Sequence, residues 1–198
     1  MTLDVRLATD RDVPGLTALE ARHYIGNLDP ADQADGFISV LHSPEWFARA
    51  IDSGGVHVAV TEDDEVAGFI AVTAPPDPAT VGLPAIVRTM LELSETVEMN
   101  GKPIAAQRFA LRGPVCIAET ARGQGVYSTF NSVTRRAYRD RFDIGVLFVA
   151  AGNPRSLHTT TTKLGANPLA EFEADGRHYH FLAYEFGTEP ESNPPLPH

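Results

Sequence analysis

Cysteine is nearly absent from this sequence: Cys116 stands alone, so no disulfide can close within the chain. No apolar run approaches the roughly 20 residues needed to span a bilayer. The N-terminus, Met1 to Arg6, has no basic segment leading into an apolar stretch, as a secretory leader would. Positive charge is also scarce. Lys and Arg number 16 against 26 Asp and Glu, a formal net charge of -10, whereas nucleic-acid binders usually show a basic face. These absences lead us to expect a cytoplasmic protein with neither a membrane nor a nucleic-acid partner. What is present suits a folded domain: 43% hydrophobic and 21% charged residues over 198 positions, enough for one real core. Residues 1–186 read as that domain. Gly187 to His198, rich in proline and glutamate, reads as a disordered tail.

The apolar pattern alternates between two periods. Asp4 to Ala8, His57 to Thr61 and Val66 to Ala74 read as strands, the last two joined at Glu62-Asp63-Asp64 as a hairpin. Val13, Leu16 and Leu19 or Glu20 recur at helical spacing up to Tyr24. Pro44 opens a second helix with Trp46, Phe47, Ala50 and Ile51 as its stripe. Ile86, Met90, Leu93 and Val97 mark an inserted helix over 83–99. Phe109 to Ala118 reads as a strand, and a helix runs from Gly125 to Arg141. Gly145 to Ala151 is a strand apolar on both faces. Asn153 caps a helix that begins at Pro154 and ends at Gly165. Leu169 to Glu173 and His178 to Phe186 flank the turn Asp175-Gly176. The order predicts an α/β (α+β) three-layer domain with a mixed, mostly antiparallel sheet of about seven strands flanked by helices.

Chemistry concentrates between Gly113 and Tyr127. A strand enters a short loop holding Arg122, Gly123 and Gly125, and the loop opens directly into a helix. The first turn of a helix has unpaired main-chain N–H groups and the positive end of its dipole, and glycine lets an anion come close. Arg122 adds a fixed positive charge, so a diphosphate suits the loop. A Walker A loop is excluded, since no lysine lies here. A dinucleotide fingerprint would require Ser128 in place of its third glycine.

At these residues the chain resembles the GNAT N-acetyltransferase superfamily. The family signature is Gln/Arg-x-x-Gly-x-Gly/Ala after a strand and opening a helix. Arg122, Gly123, Gln124, Gly125 and Val126 match it, while Tyr127 stands where Gly or Ala is usual. A second likeness is Asn153 after a buried strand, Ser156 one turn on, and Lys163-Leu164-Gly165 ending the helix. The resemblance covers Leu3 to about Phe186 in element order. It implies a GNAT-like sheet, acetyl-CoA as cosubstrate, no metal, and direct attack by an amine, small-molecule or peptide. It also implies that pantetheine lies along Cys116, Ile117 and Ala118, and that the diphosphate sits over Arg122 to Tyr127. Asn153 and Ser156 then belong to the second motif of the cofactor site.

The resemblance leaves the proton chemistry open. Family members commonly place an acidic tyrosine near the positions of Thr160 or Thr161, and no tyrosine lies between Asn153 and Gly165. His158 and Tyr127 are the candidate acids and Glu119 the candidate base, each also readable as a residue with no catalytic part. Cys116 reads as an inert buried thiol, and His178 with His180 as a polar strand face. Arg135, Arg136, Arg139 and Arg141 read as a solvated helix face. The acceptor wall is expected from Glu20 to Trp46, with Tyr24, Asp29, Asp32 and Asp35 suiting an amine. The 83–99 helix is expected to lid that wall or to make a homodimer contact. The alternative to a transferase is a GNAT-fold protein that binds CoA or acyl-CoA as a sensor or interaction module. A third reading is a longer acyl group or an oxygen acceptor.

Overall fold

In chain order the elements are β1 (Asp4–Leu7), α1 (Val13–His23), α2 (Pro44–Asp52), β2 (Val56–Val60), β3 (Val66–Thr73), α3 (Ala85–Thr96), β4 (Glu98–Met99), β5 (Lys102–Pro103), β6 (Phe109–Ile117), α4 (Val126–Tyr138), β7 (Ile144–Ala150), α5 (Pro154–Thr159), β8 (Asn167–Ala174) and β9 (Arg177–Glu185). They come from a computed structural model that describes residues 3–29, 33 and 36–188. The expected tail beyond Thr188 and the residues Asp32 and Asp35 therefore lie outside the described residues. Seven strands form one sheet in the order β1-β2-β3-β6-β7-β9-β8, and β4 and β5 pair as a separate small hairpin. Every neighbouring pair in the large sheet is antiparallel except β6 with β7.

Strand alternation sorts the core into two layers. On one face α1 and α2 bury Leu16, Leu19, Phe47 and Ala50 against Val56, Val58, Val60, Phe69 and Ala71. On the same face α3 covers the other half of the sheet. Its Ile86 and Met90 pack with Ile144, Val146, Ala150, Tyr179 and Phe181. The apolar stripe expected to lid a site or join a second copy is thus largely spent on the chain's own sheet. On the opposite face, Val126 and Phe130 of α4 cover Ala59, Ala67 and Ile70. Tyr138, Leu164 and Tyr184 close the far end of that layer. β7 is buried on both faces, as its unbroken apolar run requires.

Asp10–Asp12 form a tight turn before α1 starts at Val13. Arg6 donates to both carboxylate oxygens of Asp12 at 2.8 and 2.9 Å and ties β1 to that turn. The helix after Asn153 keeps α geometry only to Thr159, and Thr160–Leu164 widen into a π turn before Gly165 at φ 73°. The run of β-branched threonines lies at that transition, where such side chains crowd an α-helix. Finally, Arg135 does not belong to a solvated face. It is 7% exposed, donates to the Leu164 carbonyl at 2.7 Å and lies over the Tyr184 ring. Arg136, Arg139 and Arg141 are exposed, as expected.

Candidate active site

Only Phe109, Ala110 and Leu111 of β6 pair with β7, opposite Ile144, Gly145 and Val146. Beyond Leu111 the two parallel strands part. Their outer edges stay occupied, β6 by β3 and β7 by β9, so the two inner edges face each other across a gap. The parting coincides with a bulge. Gly113 and Pro114 stand opposite the single Ala71, between the pairs Ile70–Val115 and Val72–Arg112. Gly113 takes φ 130°, a conformation L side chains rarely adopt.

The main chain of the gap can be assigned. The Ala118 N–H donates to the Ala67 carbonyl at 2.8 Å, so Ala118 faces β3. Alternation then turns Cys116 the same way and points the amide groups of Val115 and Ile117 into the gap. The main-chain groups of Cys116 and Ala118, where pantetheine was expected, thus face β3 and not the gap. The Ala151 N–H donates to the His178 carbonyl at 2.9 Å, so on β7 the gap side belongs to Phe148 and Ala150.

At the open end of the gap lies the glycine loop. A single turn at Glu119–Ala121 leads to Arg122, and α4 begins at Val126 behind Gly125 at φ 80°. Among the described residues, the N–H groups of Gly123 to Ser128 have no hydrogen-bond partner; Thr129 is the first to donate, to the Gly125 carbonyl at 3.0 Å. An added Cβ at Gly123 or Gly125 would meet nothing within 4 Å. Six unpaired donors around open space at a helix start form an anion cradle. The Arg122 Nε donates to the Ile117 carbonyl at 3.3 Å, which holds that guanidinium beside the cradle.

One continuous cavity of about 1010 Å³ joins the loop to the opposite face of the sheet, at the upper limit of small-molecule pockets, about 300–1,000 Å³. Arg122, Gly123, Gly125, Val126, Tyr127 and Ser128 line one end; Asn153, Ser156, Thr159, Thr160 and Lys163 flank it. Asn153 is buried. Its Oδ1 accepts the Ser156 N–H at 3.1 Å, and its Nδ2 reaches the Phe37 carbonyl at 3.4 Å. It caps α5 and ties that helix to the segment before α2. Gly36 to Ser43, with Trp46, line the far end, where the acceptor wall was expected; Val87 and Met90 of α3 join them.

The expected proton carriers do not gather there. His158 is exposed on α5 and Glu119 is exposed in its turn, and neither lines the cavity. Gln124 is also outside the lining, its Nε2 donating to the Thr120 carbonyl at 2.6 Å. The Tyr127 ring lines the cavity, but its hydroxyl is enclosed with no partner among the described residues. The ring lies against the Arg112 guanidinium at 5.3 Å, and the enclosed hydroxyl is not presented to the cavity. Asp29 is exposed and outside the lining. Cys116 is buried, its thiol pushed up to about 12 by burial first and by the Glu20 charge second. It stays a neutral thiol near pH 7.

Two buried groups at or behind the cavity wall were given no individual role by the sequence. Arg112 is 5% exposed, donates to Asn131 Oδ1 at 2.8 Å and lines the cavity at the bulge. Glu20 is wholly buried in α1 and accepts from the His42 backbone N–H at 2.8 Å and meets His42 Nδ1 at 2.7 Å. His42 lies against Trp46, ring centroids 4.0 Å apart, and lines the cavity. A signal for Glu20 existed. It falls on the apolar stripe of α1, and a buried carboxylate requires a partner.

No family model and no curated protein matches the chain. Solved structures do. A GNAT-superfamily phosphinothricin acetyltransferase from Sinorhizobium meliloti, in complex with AcCoA, is 15% identical with a TM-score of 0.61 over 98% of this chain and 94% of its own. A GNAT-family acetyltransferase from Streptococcus agalactiae is 18% identical with a TM-score of 0.62 over 92% and 95%. A ribosomal-protein-alanine N-acetyltransferase from Brucella melitensis is 17% identical with a TM-score of 0.59 over 92% and 99%. The chain has the GNAT fold.

Proposed function

We propose that the protein is an acetyl-CoA-dependent acyltransferase acting on an amine. The observation that carries this reading is the continuity of three features: the glycine cradle, the unpaired strand edges below it, and a cavity that crosses to the opposite face. A linear coenzyme with a diphosphate near one end and a thioester at the other fits that sequence of environments. Two neighbours in fold have AcCoA or CoA in their structures, which supports the reading.

The N–H groups of Gly123 to Ser128 and Arg122 would hold the diphosphate. The gap-side amides of Val115, Ile117 and Phe148 would pair with the pantetheine amides, as a third strand would. Asn153, holding α5 to Phe37, keeps the two walls of the cavity together. Bound acetyl-CoA supplies an activated acyl carbon. The chain's own contribution is to orient the thioester and the acceptor in one cavity.

Mass spectrometry of the CoA esters retained by the purified protein tests the cofactor without a guess about the acceptor. Retained acetyl-CoA is the expected result; retained esters of longer chains would move the acyl group, and none at all with no measurable CoA affinity would sink the reading. Release of free CoA thiol with a panel of amines separates a transferase from a CoA-binding sensor.

A further inference from the structure

At the end of the cavity away from the glycine loop, His42 lines the wall and Glu20 stands behind it. Glu20 on α1 is 0% exposed. An ionised carboxylate only accepts. One of its oxygens takes the His42 backbone N–H at 2.8 Å, so the other, 2.7 Å from Nδ1, takes the Nδ1 proton. That bond fixes the tautomer. Nδ1 bears the hydrogen and Nε2 is left with its lone pair. Nε2 makes no hydrogen bond among the described residues and is not among the enclosed polar atoms. Trp46 lies over the ring at 4.0 Å and Phe47 meets its edge at 6.1 Å, so packing locks its orientation. The pair is also beside the parted strand. The Cys116 thiol approaches the Leu19 carbonyl at 3.8 Å and feels the Glu20 charge. A buried carboxylate, a fixed imidazole and an accessible nitrogen next to a nucleophile's path are the parts of a general base and its orienter.

We infer that His42, positioned by Glu20, is the base that deprotonates the acceptor ammonium. The inference rests on the transferase reading above and names the catalytic group which that reading lacks. An alkylammonium enters the cavity and gives one proton to Nε2. The freed lone pair attacks the thioester carbonyl carbon, forming the C–N bond. The C–S bond breaks, sulfur leaves with the electron pair and takes the second nitrogen proton, giving the amide and CoA thiol. His42 releases its proton to water, so the net reaction liberates one proton. Protonated His42 forms an ion pair with Glu20, which holds the imidazolium while it exists. Among the described residues Glu20 is the acid hydrogen-bonded to the ring, and His23 of α1 and Arg49 of α2 line the same cavity; the Cys116 thiol is pushed up to about 12 and stays neutral over the working range.

The test uses the intact protein with acetyl-CoA and a panel of three amines: 2-phenylethylamine, a dipeptide with a free N-terminus, and spermidine. His42→Gln is expected to lower amine-dependent CoA release at pH 7 by about 100-fold, within the range for a lost general base, with acetyl-CoA affinity unchanged within about twofold. The deficit should shrink as pH rises, because more of the amine is then already neutral; a packing defect would not recover that way. Glu20→Gln is expected to lower release by about tenfold. Nitrogen-edited NMR should show the His42 proton on Nδ1 in the wild type and lost preference in Glu20→Gln. Unchanged release in His42→Gln, a deficit independent of pH, or a proton on Nε2 would each overturn the base. A wild type that binds CoA yet releases none with any amine overturns the transferase reading, and the base with it.

Discussion

The two ends of the cavity are built by different means. The end proposed to hold the coenzyme is made of main chain: Gly123 to Ser128 present N–H groups that a helix start leaves unpaired. The end proposed to take the acceptor is made of side chains: Glu20 and His42, 22 residues apart in sequence, meet only once α1 and the segment before α2 are packed. Main-chain function is encoded within a few consecutive residues, whereas the acceptor end depends on tertiary contact. The same fold can therefore keep one end and vary the other.

The largest effect should come from putting bulk into the main-chain end. Gly125→Trp is expected to weaken acetyl-CoA binding on the order of 100-fold, about 2.7 kcal/mol, read by calorimetry. Its side chain must occupy the space that is open within 4 Å of Gly125. Positive φ at Gly125 adds a strain of about 1 kcal/mol, so the folded state should survive. Wild-type affinity in that variant would break the contrast at once.

Gly145→Ala probes the paired stretch of β6 and β7, just before the strands part. A Cβ there would come 2.3 Å from the Tyr184 ring, and the expected cost is about 2 kcal/mol of stability by denaturant titration. A loss under about 0.5 kcal/mol would mean that the ring moves freely. At the acceptor end, Trp46→Ala removes the ring that lies over His42. Amine-dependent CoA release should fall about tenfold while acetyl-CoA affinity holds. A fall in affinity instead would mean that the two ends are not separable.

The smallest effect should come from Asp12, which touches neither end. Its carboxyl is held below the usual range, first by the Arg6 hydrogen bonds. Asp12→Asn should cost about 1 kcal/mol near pH 7. A lowered folded value means that this stabilisation is full above the unfolded carboxylate's range, near pH 4, and fades as pH falls through the folded value. The wild type and the variant should therefore converge in acid. A gap that widens in acid would contradict the Arg6–Asp12 assignment.

This division also explains what the sequence made legible. The seven strands and their order along the chain follow from apolar patterning between turn residues, and β7 from an unbroken apolar run. The glycine loop was readable because arginine, two glycines and a helix start are adjacent. His42 was not, because nothing near it in sequence announces a carboxylate 22 positions earlier. Of the acids expected on the acceptor wall, Asp29 turns outward, whereas Glu20, within a helix stripe, is wholly buried. The direction of Tyr127 was open in the sequence, which gives a side chain's place in a motif but not the side of the loop it takes. Arg112 and Arg135 carried no local mark of burial; both are fixed by partners at least 19 residues away.

The most direct measurement follows main-chain amides by NMR while CoA is titrated into the wild-type protein. The account predicts the largest shifts at Gly123 to Ser128 and along Val115 and Ile117, with little change at Ala118, whose N–H is already bound to β3. Saturable binding that leaves the amides of Gly123 to Ser128 undisturbed would contradict it.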